Sequence, residues 1–161
     1  RTFIEPTQNI RSLGVKLKLS STKTIVNNKS IVLIDDSLVR GTTCHKIVNM
    51  LYESGAKEVH VRIACPEIKY PDFYGVDMPT KEELLAHKKN NQEMCDHIKA
   101  KSLKFLSLSG LYKALTGEKR NANYPQYSDH YFTGDYPIKP HDNLKGFKIK
   151  QLSLLSGKSN N

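Results

Sequence analysis

Four consecutive apolar residues, Ile31-Val32-Leu33-Ile34, run straight into two adjacent carboxylates, Asp35 and Asp36. Three of the four are β-branched, so the run predicts a strand over 30–35, buried on both faces as in a parallel sheet. Such a strand delivers its last residues to the carboxyl edge of the sheet, where open α/β folds bind ligands. A short turn with Ser37, Arg40 and Gly41 follows, and Thr42-Thr43 open an amphipathic helix. N–H groups at a helix start, a glycine that allows close approach and two hydroxyls make a phosphate cradle. The carboxylates lie one turn away and accept from ribose hydroxyls. A sugar phosphate is the ligand this arrangement suits.

The rest of the chain extends the α/β pattern. Cys44, Ile47, Val48 and Leu51 recur at helical spacing, and Gly55 stands where a helix-ending glycine belongs. Residues 58–65 alternate into a second strand, so 30–65 reads as strand, phosphate turn, helix, strand: one right-handed crossover unit. Pro66, Pro71 and Pro79 enclose an ordered loop around 70–75, where Tyr74 and Asp77 are given a structural role. Thr80 is expected to cap a helix reaching Lys88, with Glu83 at the capping-box position. Further helices are expected over 91–100 and 109–115, with a short strand at 103–107. The polar stretch 117–131 reads as loose. Beyond Pro140 the composition favours disorder, with Leu152, Leu154 and Leu155 as a possible docking segment. The division expected is 1–29, a flexible loop segment; 30–117, the core; 118–137, a C-terminal loop; and 138–161, a basic polar tail.

The net charge of +9 is confined to the ends. Residues 1–29 carry six Lys/Arg against one acid, residues 137–161 five Lys against one Asp, and 30–136 holds 14 of each. That distribution argues against nucleic acid and, for the first segment, suits a polyphosphate. No stretch has the ~20 apolar residues of a membrane span. Cys44, Cys65 and Cys95 lack metal spacing and fit reduced thiols of the cytoplasm. The six histidines are dispersed and do not read as metal ligands.

The segment Ile34 to Thr43 resembles the phosphoribosyl pyrophosphate (PRPP) signature of type I phosphoribosyltransferases. Arg1-Thr2-Phe3-Ile4, Gln8 with Arg11, Gly55-Ala56-Lys57-Glu58-Val59, Phe73 to Pro79 and Phe132-Thr133-Gly134-Asp135-Tyr136 resemble, in order, segments of the amidophosphoribosyltransferase family. The resemblance covers residues 1–137. It implies a partial phosphoribosyltransferase domain, a parallel sheet with flanking helices. It begins partway through the family's synthase domain, so the chain reads as a C-terminal fragment, inactive in isolation, without the family's glutaminase domain.

The same resemblance implies roles. Asp35 and Asp36 would bind the ribose hydroxyls of PRPP, stabilise charge at the anomeric carbon and meet Mg²⁺ through the substrate. Ser37, Arg40, Gly41, Thr42 and Thr43 would form the phosphate cradle, and Arg1 and Lys18 would close over it from the flexible loop. Phe3, Ile4 and Leu84 would line an apolar ammonia channel. A homo-oligomer with purine nucleotide feedback is the family precedent. Many members hold a [4Fe–4S] cluster on cysteines, but three of those positions are here Asp72, Ser128 and Tyr131. Oxygen ligands do not replace thiolates on iron, so no cluster is expected. The implied reaction turns PRPP and glutamine-derived ammonia into 5-phosphoribosylamine and pyrophosphate, the first committed step of purine synthesis. Two alternatives stand beside it: a nucleobase salvage phosphoribosyltransferase, and a PRPP-sensing regulator with the same fold.

Overall fold

A computed structural model describes residues 23–76, 80–123 and 125–138. Arg1, Phe3, Ile4, Lys18, Asp77 and the tail from residue 139 lie outside the described residues. A one-turn helix α1 (Lys23–Val26) precedes strand β1 (Ser30–Asp35), helix α2 (Thr42–Glu53) and strand β2 (Glu58–Ile63). After a 3-10 turn at Lys81–Glu83 come α3 (Leu85–Lys88), α4 (Asn91–His97), β3 (Ser102–Phe105), α5 (Leu108–Thr116) and α6 (His130–Thr133). The strands form one parallel sheet in the order β1-β2-β3, with Asp35 opposite Ile63 at the carboxyl edge. The α/β class and the strand–turn–helix–strand unit follow the sequence closely.

One sheet face carries the core. Ile31 and Leu33 lie in register with the fully buried Val59 and Val61, and against them pack Cys44, Val48 and Leu51 of α2 and Met94 and Cys95 of α4. The other face overturns the expectation for β1. Val32 is 58% and Ile34 73% exposed, because among the described residues no layer covers that face and the apolar run is packed on one side only. On that same face β2 and β3 carry polar side chains: His60 Nδ1 and Arg62 Nη1 both meet Ser102 Oγ, at 2.8 and 3.0 Å.

Three further expectations change. The helix expected from Thr80 to Lys88 is broken at Leu84, whose backbone is extended (φ −73°, ψ 117°). Thr80 makes no side-chain cap, and Leu85 N–H donates at 2.9 Å to Val39 O, outside its own helix. A tertiary bond has taken the donor that helix continuation would have used. The helix from 91 ends at His97, with a capping box between Asn90 and Glu93 at its start. The stretch expected to be loose before residue 131 ends instead in a buried network. Asp129 accepts from Tyr112 Oη at 2.9 Å and from Arg120 Nη2 at 3.2 Å, and both Asp129 and His130 are buried.

Candidate functional site

The carboxyl end of β1 and the start of α2 bring seven of the expected site residues into one turn. Asp36 N–H donates to Asp35 Oδ1 at 3.0 Å, and Ser37 Oγ donates to Asp36 Oδ1 at the same distance. Among the described residues, neither Oδ2 has a hydrogen-bond partner. Burial pushes the Asp35 carboxyl up; the Asp36 N–H opposes this, and the Asp36 charge adds to it. The pair thus holds two negative charges close together with one oxygen of each available. No cation neutralises it within the described residues.

Leu38 is 3% exposed and anchors the turn in the core. Gly41 is required twice over. Its φ of +77° is a left-handed conformation, and a Cβ would lie 2.8 Å from Leu85 Cδ2. As the residue preceding α2, Gly41 supplies no side-chain cap. The first backbone bond of the helix runs from His45 N–H to Gly41 O at 2.9 Å, so the N–H groups of Thr42, Thr43 and Cys44 precede the ladder. A helix start with three donors uncommitted among the described residues, and two threonine hydroxyls, favours an anion. The exposed Thr42 and half-buried Thr43 stand at its mouth.

The thiols beside the site are chemically quiet. Burial, and then the Asp35 charge, push Cys44 up to about 12. Burial and the Asp36 charge take Cys65 to about 11 despite a bond from the Leu38 N–H. A thiol so raised is neither a nucleophile nor a ready metal ligand at neutral pH. Among the described residues, no group of three or more His, Cys, Asp and Glu could hold a metal by itself.

Arg40 does not project freely into solvent. Its Nε donates to Glu83 Oε2 at 2.6 Å, with both side chains half exposed. Leu84, expected at a channel wall, is fully buried beside this contact. Glu83, Leu85 and His97 brace the turn, and sequence reasoning did not connect them with it. A separation of 43 residues between Arg40 and Glu83 leaves no local pattern to read.

A second polar cluster gathers Asp72, Ser128 and Tyr131 around His130. His130 Nε2 meets Asp72 Oδ1 at 2.7 Å and its Nδ1 meets Ser128 Oγ at 3.0 Å. Asp72 also accepts from the N–H groups of Tyr74 and Val76, at 2.9 and 2.7 Å. Burial, followed by the Asp72 charge, pushes the Tyr131 hydroxyl up. A separate open cleft of about 500 Å³ lies at the carboxyl ends of β2 and β3, lined in part by Pro66, Lys69, Phe105, Ser107 and Phe132.

A parallel sheet whose strand delivers paired carboxylates beside an uncapped glycine-threonine helix start defines a phosphoribosyltransferase-type α/β domain. No family model matches the chain. It is, however, 53% identical to the amidophosphoribosyltransferase of Rhizobium etli over 157 residues, which is 97% of this chain and 32% of that protein. It is 50% identical over 153 residues to that of Staphylococcus epidermidis, covering 95% of this chain and 31% of the relative. Among solved structures, the glutamine PRPP amidotransferase of B. subtilis, complexed with ADP and GMP, matches 85% of this chain and 30% of its own at 46% identity, with a TM-score of 0.69. The chain belongs to the amidophosphoribosyltransferase family and spans about a third of the length of these curated relatives. No helix among the described residues is long and apolar enough to cross a membrane.

Proposed function

We propose that the protein carrying this chain displaces pyrophosphate from PRPP with glutamine-derived ammonia, and that Asp35, Asp36 and the turn through Thr43 bind the PRPP. The observation that carries this reading is the sharing of one turn by an un-neutralised carboxylate pair and an uncapped helix start. Ribose hydroxyls would donate to the available oxygens of Asp35 and Asp36, while the 5′-phosphate accepts from the N–H groups of Thr42, Thr43 and Cys44 and from the threonine hydroxyls. Ammonia attacks the anomeric carbon opposite the leaving group. The C–N bond forms, the C–O bond breaks, pyrophosphate departs with the electron pair and the new ammonium loses a proton. No protein nucleophile is needed: orientation, and carboxylates facing the positive charge that develops at carbon, carry the step.

Two carboxylates together with substrate oxygens are a donor set that suits Mg²⁺, which is held through one or two carboxylates and phosphates. When bound through the substrate, the ion would spread the charge of the leaving pyrophosphate. Phe3, Ile4 and Leu84 as channel wall, Arg1 and Lys18 as closing cations, a glutaminase domain elsewhere in the protein, a homo-oligomer and a cytoplasmic location complete the reading. The ADP and GMP of the B. subtilis structure support purine nucleotides as its regulators. We take this member to be free of an iron–sulfur cluster. What supports that is the oxygen chemistry of Asp72, Ser128 and Tyr131, with Asp72 and Ser128 already hydrogen-bonded to His130.

The test is pyrophosphate release from PRPP by the intact protein, with glutamine or ammonia as donor. Release with both is the expected result. Release that requires a nucleobase instead, or PRPP binding without any turnover, would overturn it.

A further inference from the structure

Three consecutive residues of the phosphate turn are held from behind by one short stretch and its neighbour. Leu85 N–H donates to Val39 O at 2.9 Å, Glu83 Oε2 accepts from Arg40 Nε at 2.6 Å, and Leu85 and His97 occupy the space beside Gly41. Arg40 is the one cation between Asp35 and Thr43. Its guanidinium carries five N–H donors in a rigid fork, and Glu83 engages it at Nε. Among the described residues, its terminal Nη groups have no acceptor. Stability does not explain why an acid should stand so near an anion site, because a half-exposed ion pair contributes little.

We propose that Glu83 is a positioning residue for the phosphate turn, fixing the Arg40 guanidinium at Nε so that its Nη groups meet the phosphate oxygens of the substrate. This deepens the PRPP reading above and rests on it. By charge alone, removing Glu83 would tighten the binding of an anion. If Glu83 orients Arg40, removing it weakens binding, because the guanidinium loses its aim and regains rotamer freedom.

Titrating PRPP calorimetrically into the intact protein separates the two. Glu83→Ala is expected to weaken PRPP binding by about three- to tenfold, with Tm unchanged. Glu83→Gln, whose amide oxygen still accepts from Nε, should recover most of that loss. Arg40→Ala should weaken binding further, and the double variant should bind like Arg40→Ala alone, because Glu83 acts through Arg40. Unchanged or tighter binding in Glu83→Ala overturns the proposal, as do effects of the two substitutions that simply add. If the wild-type protein binds no PRPP, the ligand reading itself falls and this inference with it. Binding by the wild type that Glu83→Ala leaves intact removes the positioning role alone.

Discussion

Two polar stretches of this molecule follow opposite rules. The stretch from Asp35 to Cys44 keeps groups uncommitted among the described residues: one oxygen on each of two carboxylates and the N–H groups of a helix start without a side-chain cap. The stretch from Ser128 to Tyr136 commits nearly everything. Asp129 accepts from Tyr112, Arg120 and Thr133, His130 bridges Ser128 and Asp72, and Tyr136 Oη donates to Pro71 O at 2.9 Å. Even the ring of Tyr70 fits against Gly134, where a Cβ would lie 2.8 Å away. Buried polar groups with full partners fasten a fold, whereas groups left without protein partners at a strand end are available to a ligand. By that criterion 128–136 is a clasp, and 35–44 has the character of the site proposed for the substrate.

The largest expected effect breaks the clasp. Asp129→Ala would leave the Tyr112 hydroxyl without its acceptor and the Arg120 guanidinium with Asp135 as its remaining acid partner. Removing one partner of a buried pair costs about 3 kcal/mol or more, and urea unfolding of the intact protein should shift to lower concentration. PRPP turnover at low temperature, where the protein remains folded, should be little changed. A large loss of turnover with unchanged stability would make 128–136 part of the site instead.

Next in size is the reverse experiment. Asp36→Asn should reduce kcat/KM for PRPP by ~1–3 kcal/mol, the scale for hydrogen bonds to a charged group, without a matching loss of stability. Steady-state kinetics beside an unfolding curve provide the check. Wild-type kinetics in that variant would remove Asp36 from the site.

How much of this contrast the sequence conveys depends on distance along the chain. The β1 strand, its carboxylates and the helix start at Thr42 are legible because each signal is local: a β-branched run, an acid pair, a glycine before a helical pattern. The clasp is not legible in the same way. Asp72 and His130 lie 58 residues apart and Tyr112 and Asp129 17 apart, and no periodicity connects them. The exposure of Val32 and Ile34 escapes for a related reason, since an apolar run says that a residue can be buried but not which face receives a cover. The Thr80 helix fails because Leu85 N–H found a partner in Val39 O, in the turn before α2.

A smaller effect sharpens the comparison through pH. Burial pushes the Asp72 carboxyl up, but the Val76 N–H, the His130 ring and the Tyr74 N–H outweigh it and hold the group below the usual carboxylate range. A depressed acid contributes stability above its unfolded value of about 3.9, and that contribution is lost as pH falls through the folded value. Melting temperature followed from pH 7 into the acid range should therefore decline less steeply in Asp72→Asn than in the wild type. Parallel curves would show that the clasp draws no stability from the charge on Asp72.

Asp35 has the opposite sign, which makes it the finest test of the distinction. Burial raises its carboxyl, the Asp36 charge adds to this, and the one Asp36 N–H does not compensate. A raised acid gives stability that is present below its unfolded value and lost as pH rises through the folded one, so at neutral pH ionised Asp35 opposes folding. Asp35→Asn should therefore raise the melting temperature slightly at pH 7 while weakening PRPP turnover. A clasp residue loses stability when it is neutralised; a site residue gains it, because its charge is held against the interest of the fold and in favour of a ligand. If Asp35→Asn lowers the melting temperature, Asp35 belongs with the fastenings and not with the proposed site.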